Sequence, residues 1–115
     1  MLFSRFFAKP DPDAPPREIG HDELMQALGD GSATVVDVRE PHEFAGGHIP
    51  GAINLPMSRF APERLPAGKP VVLICLSGGR SGSALRQAHG AGATEVRHYP
   101  KGMSGWRARG GPVVR

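Results

Sequence analysis

The chain has 115 residues, 39% of them hydrophobic and 22% charged, with a formal net charge of +3. That length holds one hydrophobic core, not two, and the composition is that of an ordinary globular protein. A single cysteine excludes an internal disulfide and any CxxC pair for zinc or dithiol redox work, and on its own reads as a small buried hydrophobe.

In chain order, MLFSRFFAK carries Leu2, Phe3, Phe6 and Phe7, but Arg5 and Lys9 interrupt it before any leader-length apolar run forms. PDPDAPP at 10–16 contains four prolines, so 1–16 is expected to be an N-terminal segment and extended linker ahead of a domain at 17–115. Whether the apolar start docks on the domain or frays is left open. HDELMQALGDG places Leu24, Met25 and Leu28 at helical spacing, with Gly29 and Gly31 as a stop. ATVVDVRE predicts a short buried strand through Val35, Val36 and Val38. Pro41 starts a helical turn or two closed by Gly46 and Gly47, and Ile53 and Leu55 alternate as in a strand. MSRFAPERLPAGKP is expected to be mostly loop. Val71 to Ile74 form the next strand, followed by a loop at Cys75, a helix from about Ser81 to His89, a strand in EVRHY and a last short helix in GMSGWRA. Strands alternating with helices predict an α/β fold with a mainly parallel central sheet and helices on both faces.

Charge is unevenly spread. Residues 1–63 hold five basic against ten acidic residues, whereas 64–115 hold nine basic residues against Glu95 alone, and Cys75 lies in that half. The basic residues are scattered singly without interleaved aromatics, which argues against nucleic acid and for a small anionic partner or a solvated basic face. No stretch is long and apolar enough for a membrane span, and a cytoplasmic location is expected.

Cys75 falls one residue past a strand and just before a helix, the place where open parallel sheets bind ligands. If Leu76 to Arg80 curl around its sulfur, their amides point inward and the helix beginning near Ser81 adds its positive end. Gly78 and Gly79 tolerate the backbone angles this requires. Cysteines so placed titrate at roughly 3.5 to 7.5, so thiolate is favoured. A thiolate in an anion cradle serves two chemistries: phosphoryl or arsenyl transfer, and sulfur transfer through a persulfide. A tetrahedral oxyanion needs a wider loop than one sulfur atom does.

The segments VVDVREPHEFAGGHIPGAINLP and VVLICLSGGRSGSALRQAHGAGATEVRHYPKGMSGW together resemble single-domain rhodaneses over about residues 17–113. The resemblance is carried by D-x-R-E at Asp37 to Glu40, G-H-I-P-G-A at Gly47 to Ala52, C-L-S-G-G-R-S at Cys75 to Ser81 and G-x-x-x-W at Gly102 to Trp106. It implies a sulfurtransferase in which Cys75 opens a six-residue loop, here C-x4-R where related phosphatases and arsenate reductases use C-x5-R. It also implies a Cys75 persulfide, a small anionic sulfur donor such as thiosulfate, a thiol acceptor in the cell or a sulfur-acceptor protein, and no metal or organic cofactor. Leu76, Ser77, Gly78, Gly79, Arg80 and Ser81 are then the substrate-binding loop, and Asp37 and Arg39 its support, with a fold-supporting ion pair as the plainer reading of that pair. Leu76 stands where many relatives carry arginine, which leaves thiosulfate open as the donor. Arg80 either contacts the donor or braces the loop against a carboxylate.

The competing reading from another class is an idle rhodanese module for partner binding, whose usual mark, loss of the cysteine, is absent. Five histidines, His21, His42, His48, His89 and His98, show no metal-ligand spacing. His48 is expected to be a structural turn residue. His98 is expected at the surface, with the pocket rim as the alternative, and Met103 and Trp106 in the core.

Overall fold

The computed structural model describes residues 17–115. The expected linker at 1–16 lies outside the described residues. Helix α1 (His21–Asp30) leads to β1 (Thr34–Asp37), α2 (Pro41–Ala45), β2 (Ile53–Asn54), β3 (Val71–Ile74), α3 (Gly79–Gly90), β4 (Val96–His98) and α4 (Gly102–Ala108). The four strands form one parallel sheet in the order β2-β1-β3-β4. Residues 17–19 extend its β4 edge: the His98 amide donates to the Arg17 carbonyl and the Ile19 amide to the His98 carbonyl.

The two faces of the sheet follow from the period-two alternation of strand side chains. Val35, Val72 and Ile74 pack with Leu24, Tyr99, Met103 and Trp106 under α1 and α4. Val36, Val38, Val71, Leu73 and Cys75 point the other way, against Ala84, Leu85 and Ala88 of α3. Because β1 and β3 are covered on both sides, they read as continuous apolar runs, as buried parallel strands do. Trp106 is fully enclosed, its indole N–H satisfied by the Pro112 carbonyl at 2.9 Å and its ring meeting Tyr99 edge-on. Met103 is equally buried, in the core place expected of it.

Several local expectations are corrected. Met25 is exposed, and the buried stripe of α1 is Leu24 and Ala27, with Leu28 packed alongside. That helix runs through Gly29 and stops at Gly31, whose φ of 68° turns the chain into a left-handed cap. Strand β2 is only two residues long, with Ile53 exposed and Leu55 beyond it. The segment expected to be loop holds two single 3₁₀ turns, Met57–Arg59 and Pro62–Arg64. Helix α3 begins at Gly79, two residues before the expected start, because Gly78 at φ 103° makes the turn that a side-chain cap otherwise makes. Among the described residues, no helix is long and apolar enough to cross a membrane.

Candidate active site

Cys75 leaves the end of β3 with its side chain on the α3 face, and the chain then folds over it. Its Sγ accepts hydrogen bonds from the Gly78 amide at 3.1 Å and the Ser81 amide at 3.3 Å, and the Ser81 hydroxyl stands 3.5 Å away. The cysteine is 1% exposed and touches aliphatic neighbours as well, so it is both a core residue and an anion site. Burial pushes the thiol pKa up. The Ser81 hydroxyl, the Ser81 and Gly78 amides and the Ser77 amide outweigh it, leaving Cys75 below its ordinary value.

The loop residues divide by position. Leu76, Ser77 and Gly79 are exposed, Gly78 and Arg80 are half-buried, and Ser81 is fully buried at the first turn of α3. From below, the first turn of α4 holds the loop: the Met103 amide donates to the Cys75 carbonyl at 2.8 Å and the Ser104 amide to the Leu76 carbonyl at 3.0 Å. Gly102 comes so close that a Cβ there would collide with the Leu76 carbonyl, and Gly78 is as tight against the Pro100 carbonyl. Gly102 was visible only as part of a motif, and its contact with the loop is a property of the packing.

Arg80 faces a carboxylate. Its guanidinium makes a two-pronged pair with Glu43 of α2, Nη1 to Oε1 at 2.7 Å and Nη2 to Oε2 at 3.1 Å. The same carboxylate accepts the Glu40 amide at 3.0 Å, so Glu43 joins the α2 cap to the cysteine loop. Neither the Asp37 nor the Arg39 side chain hydrogen-bonds to the loop. They form a buried pair, Nη2 to Oδ2 at 2.7 Å, and Arg39 goes on to donate to the Gly47 and Glu43 carbonyls. The support therefore runs from Asp37 through Arg39 to the α2 turn and from Glu43 to Arg80. Breaking a shielded pair of this kind costs more than breaking one at the surface, since the remaining charge is stranded.

Glu43 was not singled out from the sequence, although Glu40-x-x-Glu43 at a proline-started helix is a capping signal. Hydrogen bonds from Arg80 lower its pKa most; burial opposes them, and the Glu40 amide with the charges of Arg80 and Arg39 leaves it at about 2, from an ordinary 4.5. A carboxyl depressed in the folded state contributes its full stability above its unfolded pKa and loses it as pH falls through the folded value. Resistance to urea is therefore expected to fall progressively from about pH 4.5 to about pH 2, and Glu43→Gln to flatten that window; equal slopes in the two proteins would show that the pair contributes nothing.

His98 is a second correction. It is 8% exposed rather than at the surface, and its Nδ1 lies 2.9 Å from the Ser81 Oγ. His48 occupies the structural place expected of it, its Nδ1 2.8 Å from the Phe44 carbonyl and its ring stacked on Phe44.

Comparison with known proteins follows this geometry. Residues 20–109 match the rhodanese-like domain. An uncharacterised protein of Synechocystis is 44% identical over 94 residues, which span 80% of this chain and 52% of that protein. A sulfurtransferase of Allochromatium vinosum is 37% identical over 101 residues, covering 84% of this chain and 94% of the relative. A thiosulfate:glutathione sulfurtransferase of Saccharomyces cerevisiae is 33% identical over 107 residues, covering 78% and 77%. The crystal structure of a rhodanese-related protein from Thermoplasma volcanium superposes with a TM-score of 0.76 at 32% identity, covering 85% of this chain and 97% of that one. Other curated relatives are longer, the chain spanning 60% of one and 46% of another. A buried cysteine under a six-residue loop at the end of a parallel strand, in a chain whose residues 20–109 match that domain, places this protein in the rhodanese-like family.

Proposed function

We propose that this chain is a sulfurtransferase that carries sulfur as a persulfide on Cys75. The observation that carries the reading is the pair of amides, Gly78 and Ser81, aimed at a sulfur whose acidity is raised above that of an ordinary thiol. In the first half-reaction the Cys75 thiolate attacks the outer sulfur of thiosulfate or a similar donor. The donor's S–S bond breaks, sulfite or another leaving group departs with the electron pair, and Cys75 keeps the sulfur as a persulfide anion. In the second, an acceptor nucleophile attacks that outer sulfur and Cys75 leaves as thiolate. This is covalent catalysis with ping-pong kinetics, and donors fixed before the reaction stabilise the charge at each step without reorganising.

The loop residues Leu76 to Ser81 form the donor site in this reading, with specificity set more by backbone amides than by side chains. Leu76 brings no charge to the mouth, and Arg80 is engaged by Glu43, so Arg80 braces the loop and the donor is bound chiefly through the cradle. The acceptor is a thiol or a sulfur-acceptor protein; the yeast relative's name supports a thiol. A lone reduced cysteine that must stay free suits the cytoplasm.

The test is intact-mass spectrometry after incubation with thiosulfate. A gain of one sulfur atom on the protein, removed by cyanide with formation of thiocyanate, is the expected result. An unchanged mass with thiosulfate, mercaptopyruvate and glutathione persulfide alike, or hydrolysis of an aryl phosphate in their place, would overturn it.

A further inference from the structure

The Ser81 hydroxyl has one proton and three groups within reach: the Cys75 Sγ at 3.5 Å, which donates to the Ser81 oxygen as a thiol and accepts from it as a thiolate, the Gly78 carbonyl at 3.3 Å, and the His98 Nδ1 at 2.9 Å, which accepts or donates according to its tautomer. Where that proton goes depends on the imidazole. With a bare Nδ1, Ser81 donates to the ring and the sulfur loses its hydroxyl donor. With a proton on Nδ1, the ring donates to the Ser81 oxygen, and the hydroxyl proton is free for the sulfur. A hydrogen bond given to a thiolate favours the charged form.

The surroundings enclose the ring and hold its backbone. His98 is more than nine-tenths buried, its backbone is tied on both sides to residues 17 and 19, and its ring lines a cleft of about 660 Å³ with Arg17, Glu18, Gly82 and Arg86. The charged groups around it are Arg17 and Glu18 from the edge segment and Arg86 from α3. Burial holds the imidazole below its ordinary pKa; Glu18 opposes this, and Arg17 and Arg86 reinforce it. Burial thus favours the uncharged ring, whose tautomer decides which way the bond to Ser81 runs. The hydroxyl and the imidazole belong to residues 17 positions apart, on α3 and β4, brought together by the fold.

We infer that His98 is a positioning residue for Cys75: its Nδ1–H donates to the Ser81 oxygen and so directs the Ser81 proton onto the sulfur. This rests on Cys75 being the nucleophile proposed above, but it concerns the acidity of the resting thiol and is read without any sulfur transfer.

Cys75 is the sole cysteine, so its thiolate is titrated directly by ultraviolet absorbance in the full-length, donor-free protein. His98→Leu is expected to raise the Cys75 midpoint by about one unit, the effect of one hydrogen bond to a charged group. His98→Asn, whose amide N–H takes the place of Nδ1–H, is expected to restore it. Ser81→Ala raises the midpoint by itself, and adding His98→Leu to it is expected to change nothing more. Should His98→Leu fail to fold, His98→Gln replaces it with the same expected shift, because its amide reaches past the Nδ1 position. A folded variant with an unshifted midpoint, a shift of equal size with and without Ser81, or failure of asparagine to restore the value would each overturn the role of His98. A mass spectrum without persulfide beside an intact His98 effect would overturn the sulfurtransferase reading alone.

Discussion

Cys75→Ser is expected to abolish persulfide formation and to lower thiocyanate production by roughly a thousandfold or more, with little change in thermal stability. The oxygen fits beneath the loop and accepts the same Gly78 and Ser81 amides that now hold the sulfur. A serine hydroxyl stays protonated in surroundings that ionise a thiol, and so is a poor nucleophile for sulfur. The two halves of the prediction separate chemistry from packing, because Cys75 also belongs to the core on the α3 face. A variant that folds and still turns over would remove the cysteine from the mechanism, whereas loss of cooperative unfolding would mean that its packing role dominates.

Gly102→Ala is expected to cost more than about 3 kcal/mol and to disable the loop above it. Two effects combine at this position. The backbone sits at φ 63°, where a side chain costs roughly 1–2 kcal/mol, and the added methyl would strike the Leu76 carbonyl and come within 2.7 Å of the Cys75 oxygen. Relief requires moving either α4 or the loop, and either motion breaks the Met103 and Ser104 amide contacts that anchor the cysteine. Gly110 provides the control, at φ 75° with nothing near a prospective Cβ, so Gly110→Ala is expected to lose only the backbone part. Equal melting temperatures for the two variants would mean that close approach at Gly102 contributes nothing. The cost at Gly102 lies at a backbone contact rather than in a cavity, which is why neighbouring residues have no means of repacking around it.

The support of the cysteine loop is layered. Asp37 and Arg39 hold the α2 turn, Glu43 of that turn holds Arg80, and Arg80 closes the loop. Arg80 thus has its two carboxylate contacts already made, which favours bracing over donor capture in the proposed reaction.

Much of this protein was legible along the chain itself. Val71 to Ile74 announced a strand covered on both faces because four consecutive apolar residues leave no side for water, and the expected α/β order of elements followed from that and from the spacing of Val35, Val36 and Val38. Cys75 was placed at the end of that strand before a helix for the same local reason. The resemblance to rhodaneses rested on short motifs whose residues are contiguous, and contiguous residues are what a sequence displays.

What the chain order concealed depends on which strands become neighbours. Arg80 meets Glu43 across 37 positions, Ser81 meets His98 across 17, and Gly102 meets Leu76, all because β1, β3 and β4 lie side by side and end at one edge. Periodicity reports that a face is buried but not against what, so Met25, which shares the helical spacing of Leu24 and Leu28, is exposed while Ala27 is buried, and His98 lies at the rim of a cleft, the alternative to the surface place expected first. Folding brings the histidine into an enclosed space where an unmade hydrogen bond is costly, and there it finds the serine.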